Sequence, residues 1–151
     1  MSSELASLYQ EVVLDHGRRP RNFGPLPGAT HHAEGVNPLC GDQLTLHVRL
    51  EDGVIREASF EGSGCAISKA SASVMTGVVK GRSVADAEAL FGRFHAMVTE
   101  GPGGSVSPEE LGKLAVFSGV WEFPTRVKCA TLAWHTLRAA LQGQQRPVST
   151  E

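Results

Sequence analysis

From Gln43 to Leu50 apolar and polar residues alternate: Leu44, Leu46, Val48 and Leu50 share one face, and Gln43, Thr45, His47 and Arg49 share the other. A period of two sustained over this length predicts a half-buried strand. Glu51-Asp52-Gly53 then supplies an Asp-Gly turn, and the extended apolar pattern resumes from Val54 to Phe60, so the two stretches predict an antiparallel hairpin. A further strand is expected around His31 to Val36.

Elsewhere the period is helical. Leu5, Leu8, Tyr9, Val12 and Val13 predict an amphipathic helix from about Glu4 to His16, stopped by Gly17 and Pro20. The arm from Arg18 to Gly28 is crowded with residues that interrupt regular structure. Its arginines suit either an acidic partner surface or a solvated basic loop. After Gly62-Ser63-Gly64 the spacing of Ile67, Ala70, Val74 and Val78 predicts a helix that begins near Cys65 and ends at Gly81. Ser83 is an N-cap candidate for the next helix, with Ala87, Leu90, Phe91, Phe94 and Met97 on its apolar side and Gly101-Pro102-Gly103-Gly104 after it. Ser107-Pro108-Glu109-Glu110 has the cap, first-position proline and acidic first turn of another helix, running through Leu111, Leu114 and Ala115. Pro124 or Thr125 opens a last helix containing Val127, Leu132, Leu137 and Leu141, and a polar tail follows from about residue 142.

These elements predict an α+β fold, a small antiparallel sheet packed against several α-helices. At 151 residues, residues 1–151 form one expected domain. Hydrophobic residues make up 41% and charged residues 20%, values of an ordinary folded chain. A net charge of −2 lacks the basic excess that a phosphate backbone demands, so nucleic acid is not an expected partner. No stretch approaches the roughly 18–20 apolar residues of a membrane span, and the first residues lack a signal-peptide pattern, so a cytoplasmic protein with no membrane partner is expected.

The chain has three cysteines, a sparse and odd set that suits a reducing compartment and argues against a disulfide framework. Any one of them alone reads as a small buried hydrophobe. Their surroundings point to ligation instead. Cys40 lies in Asn37-Pro38-Leu39-Cys40-Gly41-Asp42 just before a strand, and Cys65 follows Gly62-Ser63-Gly64 just before a helix. Glycine neighbours permit close backbone approach, and helix N-terminal amides favour a thiolate. Cys129, after Arg126 and Lys128 near the start of the last helix, is expected to share that electrostatic advantage. Asp42 reaches a metal held by Cys40 if Gly41 allows a tight bend; read alone, it is a turn or strand-start residue. Three thiolates and one carboxylate complete a tetrahedron.

At these residues the chain resembles the IscU/SufU family of iron–sulfur cluster assembly proteins, which includes the NifU N-terminal-like domains. The matching segments are Leu14-Asp15-His16 through Gly24, Asn37 to Asp42, Phe60 to Ser68, and Arg126-Val127-Lys128-Cys129-Ala130. Lys128 occupies the place of the histidine that IscU-type scaffolds carry before the third cysteine. Phe123 to Lys128 likewise replaces their Leu-Pro-Pro-Val-Lys chaperone segment. The stretch from Val84 to Gly104 resembles an insertion of the SufU branch, to which the chain is most similar.

The resemblance implies zinc held by Cys40, Asp42, Cys65 and Cys129, and sulfur accepted from a pyridoxal-phosphate cysteine desulfurase with Cys40 as the persulfide acceptor. A downstream iron–sulfur scaffold or apo acceptor would then receive the sulfur. On this reading the chain is a zinc-dependent sulfurtransferase. The alternative is a non-enzymatic scaffold that binds iron or an iron–sulfur cluster transiently on the same four residues. A third reading, a module with structural zinc, explains the ligands but not their glycine-flanked loops. None of the histidines is needed: His31 and His32 point to opposite sides of an extended segment, His16 suits the end of its helix, His47 lies on a polar strand face, and His95 and His135 read as helix-surface or packing residues.

Overall fold

The predicted hairpin forms one side of a four-stranded sheet in the computed structural model, which describes residues 3–144 and 146–150. Strand β1 (His31–Asn37) pairs antiparallel with β2 (Asp42–Glu51), and β2 pairs antiparallel with β3 (Val54–Ser63), with a register irregularity at Arg49/Leu50. A two-residue strand β4 (Val148–Ser149), contributed by the polar tail, runs parallel to β1 and gives the order β3-β2-β1-β4. The sheet is therefore antiparallel except at this short edge.

Burial follows the alternation. Leu44, Leu46 and Val48 of β2 are buried with Ile55 and Phe60 of β3, while Gln43, Thr45, His47 and Arg49 face the other side. Helices α2 (Ala66–Val79) and α4 (Pro124–Leu141) cover the apolar face, α1 (Ser3–Arg18) packs on α2, and α3 (Val84–Glu100) packs on α4. Phe91 and Phe94 of α3 stack on Trp134 of α4 with ring centroids 5.8 and 5.1 Å apart. The inserted segment thus supplies core. Ser83 caps α3 as expected, its side chain accepting the Asp86 N–H at 3.1 Å.

The segment after Ser107 differs from expectation. Residues Pro108–Phe117 form a 3₁₀ helix, not an α-helix, and Ser107 makes no side-chain cap. Gly112, at φ 56°, breaks the run into two short pieces and prevents a continuous α ladder. Its apolar positions still work: Leu111, Leu114 and Ala115 are buried. Among the described residues no helix is long and apolar enough to cross a membrane.

Candidate metal centre

Four chain segments converge at one end of the sheet. Asn37, the last residue of β1, and Asp42, the first of β2, are register partners, so Pro38 to Gly41 form the connecting loop. The Cys40 N–H bonds Asn37 O at 3.2 Å, and Gly41 at φ 69° supplies the left-handed bend that returns the chain to β2. Cys40 is thereby held half-buried beside the exposed Leu39, while Asp42 is buried.

Cys65 is the N-cap of α2, and its Sγ accepts the Ser68 N–H at 3.4 Å. Gly64 lets this helix start close to β2: at φ 155°, a Cβ there would collide with Asp42 Oδ1. Cys129 lies in the second turn of α4 and is buried.

Cys40, Asp42 and Cys129 present donor atoms that all lie within 4.8 Å of one another. The Cys129 thiol donates to Cys40 Sγ at 3.3 Å. Cys65 borders this trio, its Sγ lying 3.9 Å from Asp42 Oδ2. All four residues singled out in the sequence therefore meet. Asp42 has a structural duty as well, because its Oδ1 accepts the Cys65 backbone N–H at 2.8 Å. The turn-residue and ligand readings of Asp42 are compatible: one oxygen ties β2 to α2 and the other faces the thiols.

The thiols are electrostatically unequal. Hydrogen bonding from Cys129 lowers the Cys65 pKa to about 7; burial opposes the shift and the Ser68 amide assists it. Cys129 moves the other way. Donation to Cys65, burial and donation to Cys40 push its thiol up, so the expected advantage from Arg126, Lys128 and the helix start is outweighed. Its position in the second turn explains this, since terminal amides act mainly within the first.

Sequence reasoning gave no role to Asn37. It is fully buried, and its Nδ2 donates to Asp42 Oδ2 at 3.3 Å and to Cys129 Sγ at 3.5 Å, linking the donors from behind. Its place at the start of Asn37-Pro38-Leu39-Cys40-Gly41-Asp42 was the available signal, and the register opposite Asp42 emerges only in the fold.

The histidines lie elsewhere. His16 Nδ1 meets Ser73 Oγ at 2.7 Å, and burial lowers its pKa, so it is a neutral hydrogen-bond partner and not the charged helix-end residue expected. His95 and His135 pack edge-on against Phe91 at 6.1 and 5.0 Å. In the arginine arm, Arg21 pairs with Asp15 at 2.8 Å. Beside Cys65 opens a cavity of about 510 Å³ lined by Tyr9, Val13, Ile67, Phe117, Val120 and Arg126, among others.

A small α+β domain that gathers three thiols and a carboxylate at a sheet end defines a class of thiolate-rich metal- and sulfur-handling proteins. Residues 8–130 match the family model described as the NifU-like N-terminal domain, and the chain belongs to this family of IscU/SufU-type iron–sulfur cluster assembly proteins. It is 42% identical over 142 residues to the iron–sulfur cluster assembly scaffold protein IscU of Streptococcus pyogenes, covering 93% of this chain and 86% of that protein. It is 37% identical over 144 residues to the zinc-dependent sulfurtransferase SufU of Bacillus subtilis, covering 95% of this chain and 96% of that one. A crystal structure from Fervidobacterium islandicum AW-1, described as an iron–sulfur cluster assembly scaffold for the SUF system, superposes with a TM-score of 0.81 at 33% identity, covering 93% and 99% of the two chains.

Proposed function

We propose that this chain is a sulfur relay that accepts sulfur on Cys40 from a pyridoxal-phosphate cysteine desulfurase, with Cys40, Asp42, Cys65 and Cys129 holding zinc. The observation that carries the reading is the donor set itself, Cys40, Asp42 and Cys129 with donor atoms within 4.8 Å of one another and Cys65 Sγ 3.9 Å from Asp42 Oδ2, with the six histidines outside it. Three neighbouring thiols otherwise share protons across short contacts, and a divalent cation replacing those protons fits the cluster. Zinc bound there would keep the sulfurs as thiolates without undergoing redox change.

The residues of the chain divide the work. Asn37 and the Cys65 amide orient Asp42 from behind, and buried Cys129 anchors the site to α4. Cys40, on a loop next to exposed Leu39, is the sulfur able to turn outward. Its thiolate attacks the outer sulfur of the desulfurase persulfide. A new sulfur–sulfur bond forms on Cys40, the old one breaks, and the desulfurase cysteine leaves as thiolate. Cys40 persulfide then passes its outer sulfur to a downstream scaffold or thiol acceptor by the same exchange.

The second reading is a scaffold that assembles an iron–sulfur cluster on the same donors, favoured by the name of the similar Streptococcus pyogenes protein. Lys128 in place of histidine, and α3 as an additional core helix, favour relay. Metal analysis of the chain purified without chelators, combined with a desulfurase assay, separates them. Relay predicts one zinc per chain and faster desulfurase turnover. Iron or cluster bound, with no effect on turnover, would favour the scaffold.

A further inference from the structure

A group of nitrogen donors occupies the solvent-facing side of the sheet, away from the cysteines. His32 of β1 and His47 of β2 are direct register partners, and side chains so placed start from Cβ atoms about 4.5–5.5 Å apart. Their rings meet edge to face with centroids 5.0 Å apart, and their Nδ1 atoms are 2.7 Å apart. On the far side of the His47 ring, Nε2 lies 2.8 Å from Glu61 Oε1. A carboxylate accepts, so this contact assigns the His47 proton to Nε2 and leaves Nδ1 as a lone pair aimed at His32. A carboxylate behind an imidazole, fixing its tautomer and raising its basicity, is the usual support for a metal-ligating histidine.

We propose that His32 and His47 form a second metal site, for a divalent cation of the Zn²⁺ type, with Glu61 as the positioning residue behind His47. In the cation-free chain His32 donates its Nδ1 proton to His47; on binding, that proton transfers to His32 Nε2 through solvent, and both Nδ1 lone pairs turn to the metal. No oxidant or reductant is required. Two nitrogens bound to zinc at 2.0–2.1 Å with a near-tetrahedral angle stand about 3.3 Å apart, so the pair must open by roughly 0.6 Å. Exposed His32 can supply that movement while His47, with its side chain only 12% exposed, stays in place.

The electrostatic surroundings tolerate a cation. Arg49, the next residue of β2 on this face, is already paired with Glu51 at 2.6 Å and Glu57 at 3.4 Å. Glu34, two residues from His32 on the same face, is exposed and adds negative charge to this face. This site is independent of the cysteine cluster and of the sulfur-relay reading.

The test uses the full chain without an affinity tag, first loaded with one equivalent of zinc and then titrated calorimetrically with Zn²⁺ in a non-coordinating buffer. A second equivalent should bind the wild-type chain. His32→Gln and His47→Gln should each weaken it at least tenfold, and Glu61→Gln about tenfold, with the first equivalent unchanged. Imidazole NMR on the wild-type chain should show the second equivalent shifting the resonances of both histidines. Zn²⁺ that leaves the resonances of both histidines unshifted at every equivalent added, or that His32→Gln and His47→Gln bind as tightly as wild type, would overturn the proposal.

Discussion

The carboxylate of Asp42 accepts the backbone N–H of Cys65 at 2.8 Å, so the first residue of β2 also fixes the start of α2. The two loops that carry Cys40 and Cys65 are thereby tied through one buried side chain. Asp42→Ala removes both that tie and the oxygen donor. Leaving an orphaned amide should lower stability by about 1–3 kcal/mol, measured by urea denaturation of the metal-free chain. Zinc retention against a chelator should fall in the same variant. Unchanged stability and unchanged retention would reduce Asp42 to a loop residue.

Asn37 should matter nearly as much, although its side chain is not one of the four proposed ligands. Asn37→Ala removes the amide shared by Asp42 and Cys129. Loss of such an outer partner should weaken zinc retention about tenfold or more. Competition with a chromophoric chelator reads this directly, and wild-type retention would show that Asn37 merely fills space.

The two inner thiols should respond oppositely to pH in the metal-free chain. Cys65, lowered to about 7 from an ordinary 9.0, favours the folded state as thiolate. That contribution is complete above about 9.0 and is lost as pH falls through about 7. Cys129, pushed up, favours the folded state as thiol, and its contribution fades as pH rises above the ordinary thiol value. Alkylation followed by peptide mapping should show Cys65 reacting to half its maximal rate near pH 7, with Cys129 protected until much higher pH. A Cys65 profile centred near 9.0 would contradict this order.

Much of this architecture is legible in the sequence because local pattern and tertiary burial agree. The alternation of Leu44, Leu46 and Val48 is the sheet's inner face, and Gly62-Ser63-Gly64 marks the place where Cys65 caps a helix. Cys40, Asp42 and Cys65 were identifiable through their glycine neighbours, Cys129 through Arg126, Lys128 and the helix start, and all four through family resemblance; the fold sets Cys65 beside the group formed by the other three. What escaped depends on partners distant in sequence. The raised proton affinity of Cys129 comes from Cys65, from burial and from Cys40, 89 residues away, and is not offset by its own helix. Strand β4 is two residues in a polar tail, too short to show a period. The 3₁₀ geometry after Ser107 turns on Gly112, whose effect the apolar spacing of Leu111, Leu114 and Ala115 conceals.

The central claim is tested most directly by locating the sulfur. The zinc-loaded chain, incubated with a cysteine desulfurase and cysteine, should gain one sulfur on the peptide containing Cys40, detected by mass spectrometry under non-reducing conditions. Cys40→Ser preserves size but not the thiolate, and should gain none while keeping its fold. Added sulfur on Cys65 or Cys129 of the wild-type chain, or none on any cysteine while a reconstituted cluster passes to an apo acceptor, would contradict the relay.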